Sequence, residues 1–295
     1  MTRVHVATIA SGVGRIEDDG FALLDTPYPH VGAVIEQTGS LDVLASYPVL
    51  DRLSLDGLAL LAPLGRPRAV WGVGLNYRSK AARTGRDLPT EPILYLGAPS
   101  AVVASDTAVA VPAEQTVEMD YEGEIAVVVG RRLYQSAPED VWASVAGITA
   151  ANDMTARDVM RSTGTPTLAK SFPGFNPLGP SVCSPDELDD RDCISVRTWL
   201  NGDLQQDDNS AGMIFPIPEL LARISWFAAL EPGDVVLTGT PAGTGQDRKC
   251  FLTAGDQIRI QIGPLLPLLT AVVAPSGHPP VGELANRSAL VGRAT

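Results

Sequence analysis

The apolar positions of this chain fall mostly in short runs broken by glycine and proline, so strands dominate the reading. Ile125 to Val129 is apolar and largely β-branched, which suits a strand. Ser195 to Leu200 alternates, and Asn201-Gly202 behind it is a hairpin turn pair. Val102-Val103, Val109 to Val111 and a buried Val235 to Leu237 are further strand candidates. Helical spacing is rarer. It predicts a short helix at Val31 to Glu36, one or two turns over Asp140 to Ala146 behind Pro138, and an amphipathic helix over Ile217 to Ala229. A helix over Thr155 to Arg161 would be capped by Asn152 or Asp153. It would also set Asp153 and Arg157 four apart on one face as an ion pair.

The same punctuation divides the chain. Residues 1–64 read as a small N-terminal domain with short apolar runs at Val4 to Ile9, Gly20 to Leu24 and Leu58 to Leu61. Pro63, Pro67 and the Gly-Arg between them mark its end. Residues 65–273 form the main domain, and 274–295, with Pro275, Gly277, Pro279 and Pro280, read as an extended tail.

Composition narrows the partners. A net charge of −12 argues against nucleic acid or an anionic membrane surface. No apolar run is long enough to span a bilayer, and the first residues lack the form of a secretion signal. Cys183, Cys193 and Cys250 are an odd set with no Cys-x-x-Cys pair, which fits a reduced cytoplasmic compartment rather than a disulfide framework or zinc site. His5, His30 and His278 are scattered and read as surface residues rather than ligands.

The chemistry centres on Glu122-Gly123-Glu124. Residues two apart on a strand share a face, so two carboxylates stand side by side. Such a pair repels unless a cation or proton sits between. Mg²⁺ wants oxygen ligands, and Asp153 of Asn152-Asp-Met-Thr-Ala-Arg-Asp158 is the candidate third. On spacing alone, a pair of solvated edge-strand carboxylates is the readier explanation. The glycines of Thr238 to Gly245 lack the Lys-Ser/Thr of a P-loop, and Gly72-Val-Gly74 lacks the third glycine of a dinucleotide site. Both read as turns that bring backbone to a pocket.

Eight ordered blocks resemble the fumarylacetoacetate hydrolase family. They are Gly72-Val-Gly-Leu-Asn-Tyr77, Tyr121-Glu-Gly-Glu-Ile125, Asn152 to Asp158, Leu168-Ala-Lys-Ser-Phe172, Asn176-Pro-Leu-Gly-Pro180, Trp199-Leu-Asn-Gly202, Met213-Ile-Phe215 and Glu231 to Gly243. The resemblance implies an α+β fold, a β-rich mixed sandwich roll behind the small N-terminal domain, and a homodimer. It implies Glu122, Glu124 and Asp153 as ligands of Mg²⁺, Mn²⁺ or Ca²⁺, and it sets Lys170 and Thr240 against the substrate. Tyr77 and Arg157 join the substrate contacts, with Arg157 equally readable as the partner of a metal-bound carboxylate.

The departures concern water activation. The family's His and Glu after the Asn-Tyr block are Lys80 and Arg83 here. A lysine is a poor base at neutral pH, so Lys80 reads as a proton donor or carboxylate binder, or else as a surface residue of a lid helix. Gly97, Met160 and Pro173 replace a Lys, a Gln and an acidic residue, leaving the pocket less polar. The expected function is a metal-dependent enzyme acting on a 2-oxo acid or 1,3-dicarbonyl acid by C–C cleavage, decarboxylation or tautomerisation through an enolate. The rivals are an inactive paralogue or metal-dependent binding protein, and a biosynthetic tailoring enzyme with a non-hydrolytic reaction.

Overall fold

The computed structural model describes residues 4–17 and 20–275. His278 and the tail beyond Pro275 lie outside the described residues. A ten-stranded mixed sheet organises the chain. Its order is Val49–Leu53, Gly20–Leu24, Gly12–Glu17, His5–Ile9, Ser181–Cys183, Val145–Asn152, Gly123–Val129, Val235–Leu237, Val70–Gly74 and Ile93–Gly97. All neighbours are antiparallel except Val235–Leu237 with Val70–Gly74. The strands of the N-terminal segment therefore continue the main sheet through His5–Ile9, which pairs with Ser181–Cys183. A second sheet of five strands runs Asp203–Asn209, Ser195–Leu200, Gln257–Ile262, Leu268–Val273 and Ala108–Ala110.

The strand Gly123–Val129 shows how the pleat sorts its residues. Ile125, Val127 and Val129 enter the large core shared with Val196, Ile258 and Ile260 of the second sheet. Ala126 and Val128 pack on the opposite side with Val31, Val34 and Ile35 of helix α1 (Val31–Thr38). The first turn of α1 is closed by His30, whose Nδ1 accepts from the Ala33 amide at 3.0 Å.

Helix α2 spans Arg78–Thr84, α3 Arg157–Thr163, α4 Pro166–Ala169, α5 Ile217–Phe227 and α6 Gly245–Arg248. The Ile217 to Ala229 pattern forms its helix as far as Phe227, with Ala228 already extended. The Asn201-Gly202 hairpin forms as well, with φ of 53° and 90°. Two expectations are corrected. Asp140 to Ala146 is not α-helical: Trp142–Ser144 is a 3₁₀ turn, and Val145 begins the next strand. Thr155–Ala156 is not helical either. It pairs with Met119–Asp120, so α3 starts only at Arg157, with no side-chain cap from Asn152 or Asp153.

Candidate metal centre and active site

Gly123 builds the site by what it lacks. A β-carbon there would come within 2.1 Å of Thr198 Oγ1 in the second sheet, so Gly123 faces that sheet at close quarters. Its neighbours Glu122 and Glu124 are turned the other way. The antiparallel register sets Gly123 opposite Asn152 and Glu124 opposite Ala151. Asn152 Oδ1 accepts from the Glu122 amide at 3.1 Å, and the Asp153 amide donates to the Glu122 carbonyl at 2.9 Å. These bonds deliver Asp153 beside both glutamates. Oxygens of Glu122, Glu124 and Asp153 lie within 4.8 Å of one another, and all three residues are buried.

The cluster is more heavily charged than its three ligands suggest. Asp120, also buried, continues the row at period two. Arg157 bridges Asp120 Oδ2, at 2.8 Å from Nε, and Glu122 Oε1. The expected Asp153–Arg157 ion pair does not form. With α3 beginning at Arg157, the guanidinium turns to the 120–122 row, and Asp153 instead accepts from Lys170 and from the Tyr95 hydroxyl. Lys170 Nζ also donates to Glu122 Oε2 at 2.6 Å and Thr155 Oγ1 at 2.8 Å. Four buried carboxylates thus face two buried cations, a formal excess of two negative charges when all four are ionised. Burial, reinforced by Asp153 and Glu122, pushes Glu124 well above the usual carboxylate range. Burial also works to raise Glu122, but Arg157 and Lys170 win and hold it down at about 2. For Lys170, burial disfavours the charge, yet Asp153, Glu122 and Glu124 keep the amine above its ordinary value.

These residues suit a hard divalent cation. Its charge equals the formal excess, the donors are carboxylate oxygens, and Asp153 Oδ1 is buried with no hydrogen-bond partner among the described residues. Glu124 is steadied by the Gly239 amide, 2.7 Å from Oε2. Gly239 has φ of 94°, and a β-carbon there would stand 2.8 Å from Asn76 Cβ, so the close turn requires glycine. Asn76 latches the same loop, donating to the Thr238 carbonyl at 2.8 Å and accepting from the Phe215 amide at 2.8 Å.

A cavity of about 620 Å³ opens beside the cluster, lined among others by Lys80, Tyr95, Glu122, Glu124, Lys170 and Thr240. Lys80 is buried, not a solvated lid residue. Its Nζ donates to Thr244 Oγ1 at 2.6 Å and Asp247 Oδ1 at 2.8 Å. This clasps α2 to the capped start of α6, where Asp247 Oδ2 accepts from the Gly243 amide at 2.8 Å. Arg83 is exposed, donates to the Asp247 carbonyl at 3.4 Å, and does not line the cavity. Tyr77 is fully buried in the core and does not line the cavity. Thr240 lines the wall, but its hydroxyl donates to the Gly123 carbonyl at 3.0 Å and accepts from Gln206 at 2.8 Å.

Tyr95, Asp120, Asp247 and Asn76 belong to the site and were not singled out as site residues by sequence. Asp120 had a signal in the period-two row. Tyr95 fits because Gly72, directly opposite in register, leaves space for its ring, where a β-carbon would stand 2.1 Å away. The position of Gly97 supplies no cation, but the Lys170 ammonium lies 5.3 Å from the Tyr95 ring centroid, arriving from another segment.

Fold and cluster together define a chain built around a buried carboxylate triad able to take a hard divalent cation. The family model described as fumarylacetoacetate (FAA) hydrolase C-terminal matches residues 69–287, and the chain belongs to the fumarylacetoacetate hydrolase family. Among its relatives, "Oxaloacetate tautomerase fahd2, mitochondrial" of Xenopus laevis is 37% identical over 225 residues, 75% of this chain and 70% of the relative. "Oxaloacetate tautomerase YisK" of Bacillus subtilis is 36% identical over 217 residues, 72% of each chain. The structure of the fumarylacetoacetate hydrolase from Exiguobacterium antarcticum superposes with a TM-score of 0.81 at 29% identity, covering 93% of this chain and all of that one.

Proposed function

We propose that the chain is a divalent-metal-dependent tautomerase of 2-oxo acids, with oxaloacetate as the leading substrate. The observation that carries this reading is Lys80. Where hydrolases of the family place a water-activating base, this chain has an ammonium clasped by Asp247 and Thr244. No histidine lines the cavity among the described residues. Tautomerisation needs no activated water: one proton leaves the C2 hydroxyl of the enol and one is delivered to C3, so the atoms balance within the substrate. The two relatives named as oxaloacetate tautomerases support the same reading.

Glu122, Glu124 and Asp153 would hold Mg²⁺, with Mn²⁺ or Ca²⁺ as alternatives, and the ion supplies Lewis-acid polarisation of the C2 oxygen. Lys170 sets a second positive group at the oxygen where enolate charge develops. Lys80 has three N–H donors, two of them engaged, and the third remains for proton delivery to carbon. Arg157 acts by orienting Glu122. Thr240 holds Gly123 and, through Gln206, the second sheet, rather than donating to a substrate carboxylate. The reading includes a cytoplasmic homodimer, checked by light scattering and by fractionation. No helix among the described residues is long and apolar enough to cross a membrane.

The test follows the enol absorbance of oxaloacetate with Mg²⁺, for the unaltered protein and Lys80→Met. Tautomerisation well above the metal-only rate, and a fall in kcat of about 10²-fold in Lys80→Met, is the expected result. Release of two fragments from an acylpyruvate at a higher kcat/KM than tautomerisation would overturn the reading in favour of hydrolysis.

A further inference from the structure

We propose that Arg86 is the specificity residue of this cavity: its guanidinium receives the second carboxylate of a dicarboxylic 2-oxo acid. This rests on the reading of the cavity as a 2-oxo acid site.

Five cations line the cavity: Lys80, Arg86, Arg157, Arg161 and Lys170. Four are already engaged. Lys80 is held by Asp247, Arg157 by Asp120 and Glu122, Lys170 by Glu122 and Asp153, and Arg161 by Glu118 at 2.7 Å. Arg86 has no ion pair or side-chain hydrogen bond among the described residues, although it sits on the cavity wall.

Its position is nevertheless defined. Gly85, with φ of 65°, ends α2 in the left-handed region, and the Arg86 amide donates to the Ala81 carbonyl at 3.0 Å. That turn aligns the backbone of Arg86 with the end of the helix carrying Lys80.

Charge completes the case. A divalent cation would neutralise the two excess negative charges of the cluster, and Lys80 with Asp247 is a neutral pair. The first carboxylate of a 2-oxo acid would then sit at the metal beside Lys170, whichever acid is bound. A dicarboxylate brings one further negative charge, and among the described residues Arg86 is the cavity-lining cation that, without an ion pair, can meet it. Its planar fork matches a carboxylate in a way a lysine cannot. Val73, Ile93 and Met160 of the same cavity carry no charge.

The test compares the unaltered protein, Arg86→Leu and Arg86→Lys, all loaded with Mg²⁺. Kinetics use oxaloacetate and the monocarboxylate phenylpyruvate. Calorimetry uses 2-oxoglutarate and 2-oxopentanoate, which differ in the terminal carboxylate. In Arg86→Leu, KM for oxaloacetate and Kd for 2-oxoglutarate should rise about ten-fold, with kcat within about three-fold. KM for phenylpyruvate and Kd for 2-oxopentanoate should move less than about two-fold, and Arg86→Lys should recover part of the loss. Equal effects on mono- and dicarboxylates, no effect on either, or no preference of the unaltered protein for 2-oxoglutarate overturns the assignment. If oxaloacetate is not tautomerised at all, the proposed function fails, while the calorimetric comparison still decides Arg86 by itself.

Discussion

Lys170 Nζ and Glu122 Oε2 stand 2.6 Å apart inside a cluster that also binds the same ammonium to Asp153. The lysine occupies one side of the carboxylates and partly stands in for a cation. Replacing it with methionine leaves two buried carboxylates short of a partner, which costs about 3–5 kcal/mol when a buried pair is broken. Metal-free Lys170→Met should therefore melt lower than the unaltered protein and gain more from added Mg²⁺. Its kcat should drop about 10²- to 10³-fold, as when a positive group beside a developing oxyanion is lost. Thermal melts with and without chelator, beside steady-state rates, check both. Full turnover in the variant would remove Lys170 from the chemistry.

Glu124 carries the opposite expectation. It is buried, repelled by Asp153 and Glu122, and in no ion pair among the described residues, with Lys170 acting on it only from a distance. Glu124→Gln keeps the shape and removes the repulsion. The metal-free variant should melt no lower than the unaltered protein, yet show no rise in melting temperature with Mg²⁺ and lose metal-dependent activity. An undiminished Mg²⁺ response would place the metal elsewhere.

Gly123 tests the close approach of the two sheets. An added methyl would meet Thr198 Oγ1 at 2.1 Å. Gly123→Ala should lose about 1–3 kcal/mol in chemical denaturation, the usual range for overpacking a tight core. It should also weaken Mg²⁺ binding, because the same shift moves both glutamates. Gly123→Ala with Thr198→Gly should recover much of the stability, whereas no loss in the single variant would show that the sheets yield there.

His5 gives the pH dependence away from the metal. Burial lowers its pKa from 6.5 to about 4, and its Nε2 lies 2.7 Å from Ser181 Oγ. Ser181 Oγ accepts from the Leu266 amide at 3.2 Å, so it can donate its own proton to a neutral imidazole. Between those pKa values the unfolded chain binds the proton and the folded one does not, so stability rises with pH across the window. The full contribution is present above pH 6.5 and is lost as pH falls toward 4. With His5 half-buried, screening reduces the loss to about 2 kcal/mol. Denaturation midpoints of the unaltered protein and His5→Gln at several pH values should converge at the acid end. Parallel curves would refute the coupling.

The sequence by itself determined a great deal. Short β-branched runs marked the main strands, and a period of two put Glu122 and Glu124 on one face. The ordered blocks placed the chain in its family, and Lys80 and Arg83 marked the departure in chemistry. Local rules reach that far because strand alternation and turn residues act over a few positions.

Only the tertiary structure decided the rest. Arg157 reads on a helical wheel as the partner of Asp153, but the Thr155–Ala156 pairing delays the helix and gives it to Asp120 and Glu122. Tyr77 sits in a family block yet is withdrawn into the core, while Tyr95 reaches Asp153 because a glycine lies across the register. Lys80 meets Asp247, which is 167 positions away in the chain. Such pairings depend on which strands become neighbours, and a buried charge is satisfied by whichever opposite charge the sheet brings within reach, however distant in sequence.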